Sequence, residues 1–331
     1  MLSQKKYGVD TTGADMRVSY AHLHKMQKVL AKAYANRKVM DIQRNVLPNP
    51  MARRMARLLG GCLEGRTLRQ LYCRVSAIPD PYIRHLVCGL GALLSMDHID
   101  GDQVMGHQEA FSNAWLLLRQ LSTLWATPYA RTTIDSIRRG RQRSRDALVS
   151  RMLMARRAFP KLMVLRIDLG YRREYADSMA PQGRMFKDWE VLKAFLNSAF
   201  ASSFVGYAVK AEYGLKKGVH MHLLLLFDGS VVRQDVTIGR LVGEHWNNVV
   251  TQGAGVYFNC NTPAYKNRFS YCGVGVFNRL DEGCVAGFQK IADYMAKEDF
   301  LVRVVMPEHS RFFRCNFRNV TLSGVDTRPL D

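Results

Sequence analysis

Two histidines separated by a single residue stand out in this chain as side chains that could do chemistry. His220 and His222 flank Met221 at the start of a run of leucines, and Glu212 lies upstream of them. Imidazole nitrogens and carboxylate oxygens are common metal ligands, and two of the former with one of the latter would leave coordination positions open. The alternative is a pair of ordinary histidines near a solvated glutamate.

A β-hairpin is the element that would position these ligands. The segment over residues 204–227 has the pattern of two strands joined by a short turn rich in Lys and Gly. Because side chains alternate between faces, pairing across the turn places Glu212 opposite His220. The same register places Lys210 opposite His222. The other face of the hairpin is almost wholly apolar, which predicts that it packs on the core.

A tyrosine and a lysine near the C-terminus would complete a catalytic set. Tyr294 and Lys297 are three residues apart on a helix predicted over residues 282–300, so they would share one face. A tyrosine hydroxyl can attack a phosphodiester, but its ordinary pKa near 10 makes it a weak nucleophile. A divalent cation at the histidines would polarise that phosphate, and Lys297 would hold it or balance developing charge. A half-buried helix tyrosine and a surface lysine are the alternative.

The remaining patterns divide the chain into two parts. Residues 1–158 are predicted to be a basic helical region for DNA recognition or oligomerisation, and residues 159–331 the catalytic domain. In the second part the elements follow the order β-α-β-β-α-β-α. This order predicts an α+β fold with a ferredoxin-like, split βαβ antiparallel sheet. The strands are predicted at 161–171, 204–214, 219–227, 255–260 and 269–277, and the helices at 189–200, 235–250 and 282–300.

The chain is strongly basic. Of its 331 residues, 48 are Lys or Arg and 28 are Asp or Glu, which gives a formal net charge of +20. Such an excess favours a polyanionic partner such as nucleic acid. Residues 137–160 are rich in arginine with Asp146 as the lone acid, so we predict a helix that contacts DNA phosphates; a solvated charged face is the alternative. The predicted DNA-binding residues are Arg138, Arg139, Arg141, Arg143, Arg145 and Lys210.

Cysteine usage and apolar runs bear on location. The seven cysteines form no CxxC pair, which favours reduced thiols in a cytoplasm over a disulfide framework or a zinc ribbon. The N-terminal segment lacks the apolar stretch of a secretory signal, and no run approaches the ~20 apolar residues of a membrane span. We therefore expect a cytoplasmic protein without a membrane partner.

These features together resemble the HUH endonucleases, whose hallmark is His-hydrophobic-His on a central strand. Residues 220–222 match that hallmark, and residues 294–297 match the Tyr-x-x-Lys helix of their single-tyrosine replication initiators. The likeness covers roughly residues 160–318. Within that class the chain is most similar to the initiators of filamentous phages (inoviruses) and related prophages.

The resemblance implies a rolling-circle replication initiator in a bacterial host. Tyr294 would nick single-stranded origin DNA, stay attached to the 5′ phosphate and leave a 3′ hydroxyl for the host DNA polymerase. A later strand transfer would close the displaced circle. Lys297 carries over as the motif lysine.

The resemblance also implies a bound Mg²⁺ or Mn²⁺. His220, His222 and an acidic residue would hold the cation. Glu212 is the expected third ligand. Asp168 is the other candidate, because it shares a strand face with Arg166 near the same site.

Two other functions are left open. A relaxase or transposase of the same superfamily would share the chemistry and act on different DNA. A non-catalytic protein that binds origin DNA or represses transcription would need only the basic charge. The chain has no P-loop pattern, so unwinding would require a host helicase. The basic, aromatic tail over residues 308–319 is assigned to DNA contact or to a sheet edge, and the oligomeric state is left open.

Overall fold

The computed structural model describes the chain in several stretches. These are residues 25–36, 50–63, 107–176, 180–214, 217–297 and 312–318, with the short pieces 299, 302, 306, 320–321 and 324–325. Contacts within the chain divide it into two compact units, Met1–Ser136 and Ile137–Asp331. Among the helices in the described stretches, none combines the length and the apolar character needed to cross a lipid bilayer.

The described parts of residues 1–158 are helical, as the sequence predicts, and the rest of that region lies outside the described residues. The helices are residues 25–35 (α1), Pro50–Leu63 (α2), His107–Ala126 (α3) and Pro128–Ala158 (α4). In the first unit α2 and α3 pack closely, since a Cβ on Gly60 would lie 3.2 Å from the carbonyl oxygen of Ala110. The buried Trp125 meets Tyr34 edge to face at 5.6 Å.

The second unit is an α+β structure built on an open antiparallel sheet of six described strands. They are Lys161–Tyr171 (β1), Phe204–Gly214 (β2), Gly218–Asp228 (β3), Gly255–Asn259 (β4), Gly275–Asn278 (β5) and Phe313–Phe317 (β6). The helices are Arg173–Ala176 (α5), Ala180–Ala199 (α6), Asp235–His245 (α7), Pro263–Lys266 (α8) and Cys284–Met295 (α9), and one π turn, Trp246–Val250, follows α7. Val320–Thr321 (β7) and Gly324–Val325 (β8) pair with each other.

The strand that carries the two histidines lies inside the sheet. The strand order is β4-β1-β3-β2-β6, and β5 pairs with the first residues of β1 on the edge that β4 also uses. Every pairing within the sheet is antiparallel. The predicted alternation of strands and helices from β1 to α9 is confirmed, with β3 held on both sides by hydrogen-bonded neighbours.

Three segments near the C-terminus refine the prediction. The strand predicted over residues 269–277 begins only at Gly275, because the residues before it form a loop that packs on α9. The helix predicted over residues 282–300 ends at Met295. In the described part of the basic tail, Phe313–Phe317 form strand β6, which pairs with β2, so of the two roles weighed the position at a sheet edge is observed there. Residues 308–311 and 319 of the tail lie outside the described residues.

The apolar face of the hairpin packs on the core, as the sequence predicts, and the histidine face is buried as well. On the apolar face the ring of Trp189 from α6 packs 4.9 Å from the ring of Tyr207. On the histidine face, Leu224 belongs to one hydrophobic cluster with Met152 of α4 and Phe288 of α9, and all three are fully buried. The catalytic candidates therefore stand at one end of a dry surface, where they are held rigidly.

Candidate metal centre and nucleophile

The hairpin register predicted from alternation is confirmed. β2 and β3 pair with Glu212 opposite His220 and with Lys210 opposite His222. β1 pairs with the other edge of β3 and places Asp168 opposite His222. Directly paired residues project from the same face of a sheet, so these side chains meet at one place.

Glu212, His220 and His222 form a cluster whose geometry suits a metal ion. One potential ligand atom from each residue lies within 4.8 Å of the other two. Oε2 of Glu212 is 2.9 Å from Nε2 of His222 and 3.7 Å from Nε2 of His220. The two imidazole rings are nearly perpendicular, at 88°, with their centroids 5.0 Å apart. Both Nε2 atoms thus lie near the carboxylate of Glu212.

The second nitrogen of each imidazole is held by an oxygen. Nδ1 of His222 is 2.7 Å from Oδ1 of Asp168, and Nδ1 of His220 is 3.0 Å from the carbonyl oxygen of Gly218. An oxygen acceptor at Nδ1 keeps the proton there and leaves the lone pair of Nε2 available for a cation. This arrangement favours Glu212 as the third ligand and gives Asp168 the role of orienting His222.

Neighbouring charges keep Glu212 ionised. Burial opposes its ionisation, but hydrogen bonds with His220 and His222 and the charge of Lys210 hold its pKa well below the usual range. Burial likewise opposes protonation of His222, yet hydrogen bonds to Asp168 and Glu212 raise the pKa of this imidazole above its ordinary value. A cation would take the place of that proton, since a ligating histidine must be neutral.

Tyr294 reaches the same cluster from α9. Its hydroxyl oxygen is 2.7 Å from Nε2 of His222, and the two rings meet edge to face with centroids 4.9 Å apart. Burial and then the negative charge of Glu212 raise the pKa of the phenol above its ordinary value, whereas Arg166 opposes the rise. The phenol therefore needs additional positive charge nearby before it can act as a nucleophile.

Nε2 of His222 faces two oxygen atoms but can form a hydrogen bond with only one of them. The carboxylate of Glu212 and the hydroxyl of Tyr294 both lie within 2.9 Å of it, and a ring nitrogen offers one proton or one lone pair. A cation between these atoms would satisfy the oxygens without sharing a single hydrogen. Two imidazoles and one carboxylate thus fit a divalent cation with positions open to substrate, while its identity as Mg²⁺ or Mn²⁺ stays a prediction.

Lys210, predicted as a DNA contact, lies inside this cluster. Its side chain is 3% exposed, and its ammonium contacts the carboxylate of Glu212 and donates to the carbonyl oxygen of Tyr294 at 3.1 Å. That carbonyl ends α9, where a cation also offsets the negative end of the helix dipole. Burial lowers the pKa of Lys210 and the charge of Glu212 opposes the lowering. Lys210 therefore links the strand that carries Glu212 to the helix that carries Tyr294.

Lys297 lies beyond the end of the helix that carries Tyr294, which corrects the prediction that both are on it. The helix stops at Met295, where Lys210 and the backbone N–H of Lys297 both donate to the carbonyl oxygen of Tyr294. The bond from the N–H of Lys297 spans three residues, as is usual where the last turn of a helix tightens. The side chain of Lys297 lies beyond the helix end and is exposed, and its role as the motif lysine stays a prediction.

Arg166 is a site residue that the sequence identified only as a neighbour of Asp168. Its guanidinium lies 4.3 Å from the ring centroid of Tyr294 and donates to Asp168 at 3.2 Å and to the hydroxyl of Tyr265 at 2.9 Å. A cation over the phenol ring favours the ionised phenolate. The one signal in the sequence is its place two residues before Asp168, on the same face of β1.

The arginines predicted to contact DNA lie along α4. Four of them have exposed side chains: Arg138, Arg139, Arg141 and Arg143. The fifth, Arg145, donates to Asp146 at 2.8 Å and to Asp293 at 2.6 Å. Asp293 directly precedes Tyr294, so Arg145 joins α4 to α9 and is neutralised within the chain.

Comparison of the chain with protein-family models, with curated proteins and with solved structures found no match. The function proposed below therefore rests on the chemistry of the residues just described.

Proposed function

We propose that this chain is a metal-dependent DNA endonuclease and strand transferase that initiates rolling-circle replication in a bacterial cytoplasm. The observation that carries the proposal is the hydroxyl of Tyr294, 2.7 Å from Nε2 of His222 within a cluster that fits a divalent cation. An antiparallel sheet with the histidines on an inner strand is compatible with the ferredoxin-like fold of the HUH type. The net charge of +20 suits a DNA substrate.

The cation would be Mg²⁺ or Mn²⁺, held by Nε2 of His220, Nε2 of His222 and a carboxylate oxygen of Glu212. Its chemistry would be to polarise the scissile phosphate and to stabilise charge on the departing 3′ oxygen. Asp168 keeps the ring of His222 turned with Nε2 towards the substrate. Lys210 keeps the carboxylate of Glu212 ionised and in place.

Tyr294 is the nucleophile in this proposal. Its phenolic oxygen forms a bond to phosphorus while the bond between phosphorus and the 3′ oxygen breaks, so one phosphoester replaces another. The phenol loses a proton to solvent, and the departing 3′ oxygen gains one. Arg166, above the phenol ring, favours the ionised nucleophile.

The same step in reverse joins DNA ends. A 3′ hydroxyl attacks the phosphotyrosine, its oxygen bonds to phosphorus, and Tyr294 leaves and regains a proton. The number of phosphoester bonds stays constant in both directions, so no nucleoside triphosphate is consumed. This agrees with a chain that has no P-loop pattern and would depend on a host helicase and a host DNA polymerase.

Capture of a covalent adduct tests the proposal. The full chain is incubated with Mn²⁺ and a pool of single-stranded oligonucleotides of randomised sequence and then separated under denaturing conditions. We expect a protein–DNA adduct, and sequencing its DNA end gives the preferred nick site. Tyr294→Phe should form none, whereas the control Tyr129→Phe, an exposed tyrosine on α4, should match the unmodified chain.

The outcomes separate the candidate functions. An adduct that persists in Tyr294→Phe, or that forms equally when a chelator removes divalent cations, would refute the proposal. Intact cleavage in the double variant His220→Ala, His222→Ala would refute the metal site. DNA binding with no adduct from the unmodified chain would favour the non-catalytic function, and the nick-site sequence would separate an initiator from a relaxase or transposase.

A further inference from the structure

A cavity beside Tyr294 differs in character from the metal cluster. It has a volume of about 330 Å³, and most of its lining is aromatic or apolar. Tyr265, Phe269 and Tyr271, from the segment between β4 and β5, line it together with Lys290 and Tyr294 of α9. We call it the aromatic cavity.

The rings of the aromatic cavity are available to a ligand. Phe269 and Tyr271 are 43% and 55% exposed, although leaving the large apolar surface of each ring in water is unfavourable. Positive charge borders the same rings: the ammonium of Lys290 lies 5.0 Å from the ring centroid of Tyr271, and the guanidinium of Arg268 lies 5.7 Å from that of Tyr265. Flat apolar faces with a cationic border match a base attached to a phosphate chain.

The aromatic cavity is held in shape by the fold. Gly273 packs directly on α9, since a Cβ at this position would lie 2.5 Å from the carbonyl oxygen of Gly287. Tyr265 accepts a hydrogen bond from Arg166 at 2.9 Å and packs against Phe269 with ring centroids 5.1 Å apart. A preformed cavity of this size is typical of small-ligand sites, which span ~300–1,000 Å³.

We propose that the aromatic cavity binds one unstacked base of single-stranded DNA beside the phosphate that Tyr294 attacks. Stacking on aromatic side chains accepts every base, and the bordering Lys290 and Arg268 would meet the phosphates on either side. The inference rests on the proposed function for the choice of DNA as the substrate. It adds a site for the base to the site for the phosphate.

The geometry also indicates which base is bound. Tyr294 and Arg166 stand at one end of the cluster, and His220 stands at the other end, facing Gly170. A second cavity of about 360 Å³ at the His220 end carries three basic residues, Arg172, Arg173 and Lys217. In an in-line displacement the leaving oxygen departs on the side opposite the nucleophile. The leaving strand therefore runs towards this second cavity, and the base in the aromatic cavity belongs to the nucleotide that stays attached to Tyr294.

Binding and photochemical cross-linking test this inference without cleavage. The probe is a fluorescent oligothymidylate with one 5-iodouracil, mixed with the full chain in the absence of divalent cations. The double variant Phe269→Ala, Tyr271→Ala should bind about 5- to 100-fold more weakly, as expected for loss of base stacking. Phe269→Trp should retain affinity because it still stacks, and Tyr129→Ala, an exposed aromatic residue outside the cavity, should bind as the unmodified chain does.

Mapping the cross-linked peptide gives an independent result. We expect attachment within residues 265–271. Unchanged affinity of the double alanine variant, or cross-links confined to other segments, would overturn the inference even where the unmodified chain forms the covalent adduct. Stacking-dependent binding and cross-links in this segment from a chain that forms no adduct would refute the proposed function and keep the cavity as a DNA site.

The assignment to one side of the nick has its own test. Once the nick site is known, an abasic position directly 3′ of the nick should reduce adduct formation by about the same 5- to 100-fold factor. An abasic position directly 5′ of it should have a smaller effect. The reverse order would overturn the placement of the base.

Discussion

Replacing Asp168 with asparagine separates a metal ligand from a residue that orients one. Asp168 touches the cluster only through Nδ1 of His222, at 2.7 Å, and through Arg166, at 3.2 Å. Asparagine keeps an oxygen able to accept the Nδ1 proton but removes the negative charge. Loss of such an outer partner typically costs 10–100-fold in metal affinity, or about 1.4 to 2.8 kcal/mol. We therefore expect Asp168→Asn to bind Mn²⁺ about 10–100-fold more weakly and still to bind it.

Glu212→Gln should lose more Mn²⁺ affinity than Asp168→Asn in the same assay. Its carboxylate lies 2.9 Å and 3.7 Å from the two Nε2 atoms, so the substitution removes a charged ligand itself. Titration of Mn²⁺ followed by electron paramagnetic resonance reports free Mn²⁺ directly and needs no DNA. Glu244→Gln, an exposed carboxylate on α7 paired with Arg240, is the matched control. Equal loss in Asp168→Asn and Glu212→Gln, or unchanged affinity in Glu212→Gln, would refute this division of roles.

Further substitutions test the framework of the site. Lys210→Met leaves the partly buried carboxylate of Glu212 without its ammonium and the carbonyl of Tyr294 without its side-chain donor. It should lower the free energy of unfolding by about 1–3 kcal/mol in urea titrations without metal. No loss would contradict the link that Lys210 makes between strand and helix. Gly287→Ala would place a Cβ 2.6 Å from the backbone of the loop before β5, so it should lower the free energy of unfolding by about 1–3 kcal/mol. Gly140→Ala, with open space around it on α4, should raise the free energy of unfolding by up to about 1 kcal/mol. Equal effects of the two substitutions would contradict the packing of the loop on α9. Arg141→Ala with Arg143→Ala should flatten the salt dependence of single-stranded DNA binding, by about 0.7 in slope for each phosphate that is no longer neutralised, and an unchanged slope would remove these arginines from the interface.

The local part of the site could be predicted from the sequence because a strand has a strict period. Alternation and one short turn fix which residues of a hairpin face each other, and this was sufficient to pair Glu212 with His220 and Lys210 with His222. The order of strands and helices along the second unit also followed from local patterns. The sequence could not choose between Glu212 and Asp168, because that choice depends on which nitrogen of His222 each carboxylate approaches.

The parts that the sequence missed depend on contacts between distant elements. The carbonyl of Tyr294, near the end of α9, is bonded by Lys210, which lies on another element, and no residue inside the helix indicates this contact. Arg166 reaches the phenol only because α9 packs across β1. The aromatic cavity likewise depends on the packing of a loop on α9 through Gly273. Propensity and spacing describe neighbours along the chain and carry little information about contacts between residues that are distant in the sequence.

The balance of charge around the cluster leads to a last prediction. Before any cation binds, the carboxylates of Asp168 and Glu212 are balanced by Arg166 and Lys210, each within an ion pair of the site. A divalent cation would leave this largely buried site with excess positive charge. A phosphodiester, together with the ionising phenol of Tyr294, supplies negative charge to offset it. Cation and DNA should therefore each bind more tightly when the other is present.

Tyr294→Phe allows this coupling to be measured at equilibrium, because it removes the proposed nucleophilic hydroxyl and keeps the aromatic ring. Mn²⁺ should bind this variant about 5-fold or more tightly when the chain is saturated with oligothymidylate, and by linkage Mn²⁺ should strengthen DNA binding by the same factor. The effect should vanish in the triple variant that adds His220→Ala and His222→Ala, while cation-independent DNA binding persists. Equal Mn²⁺ affinity with and without DNA would refute the argument, because the phosphate would then lie too far from the cluster to share its charge.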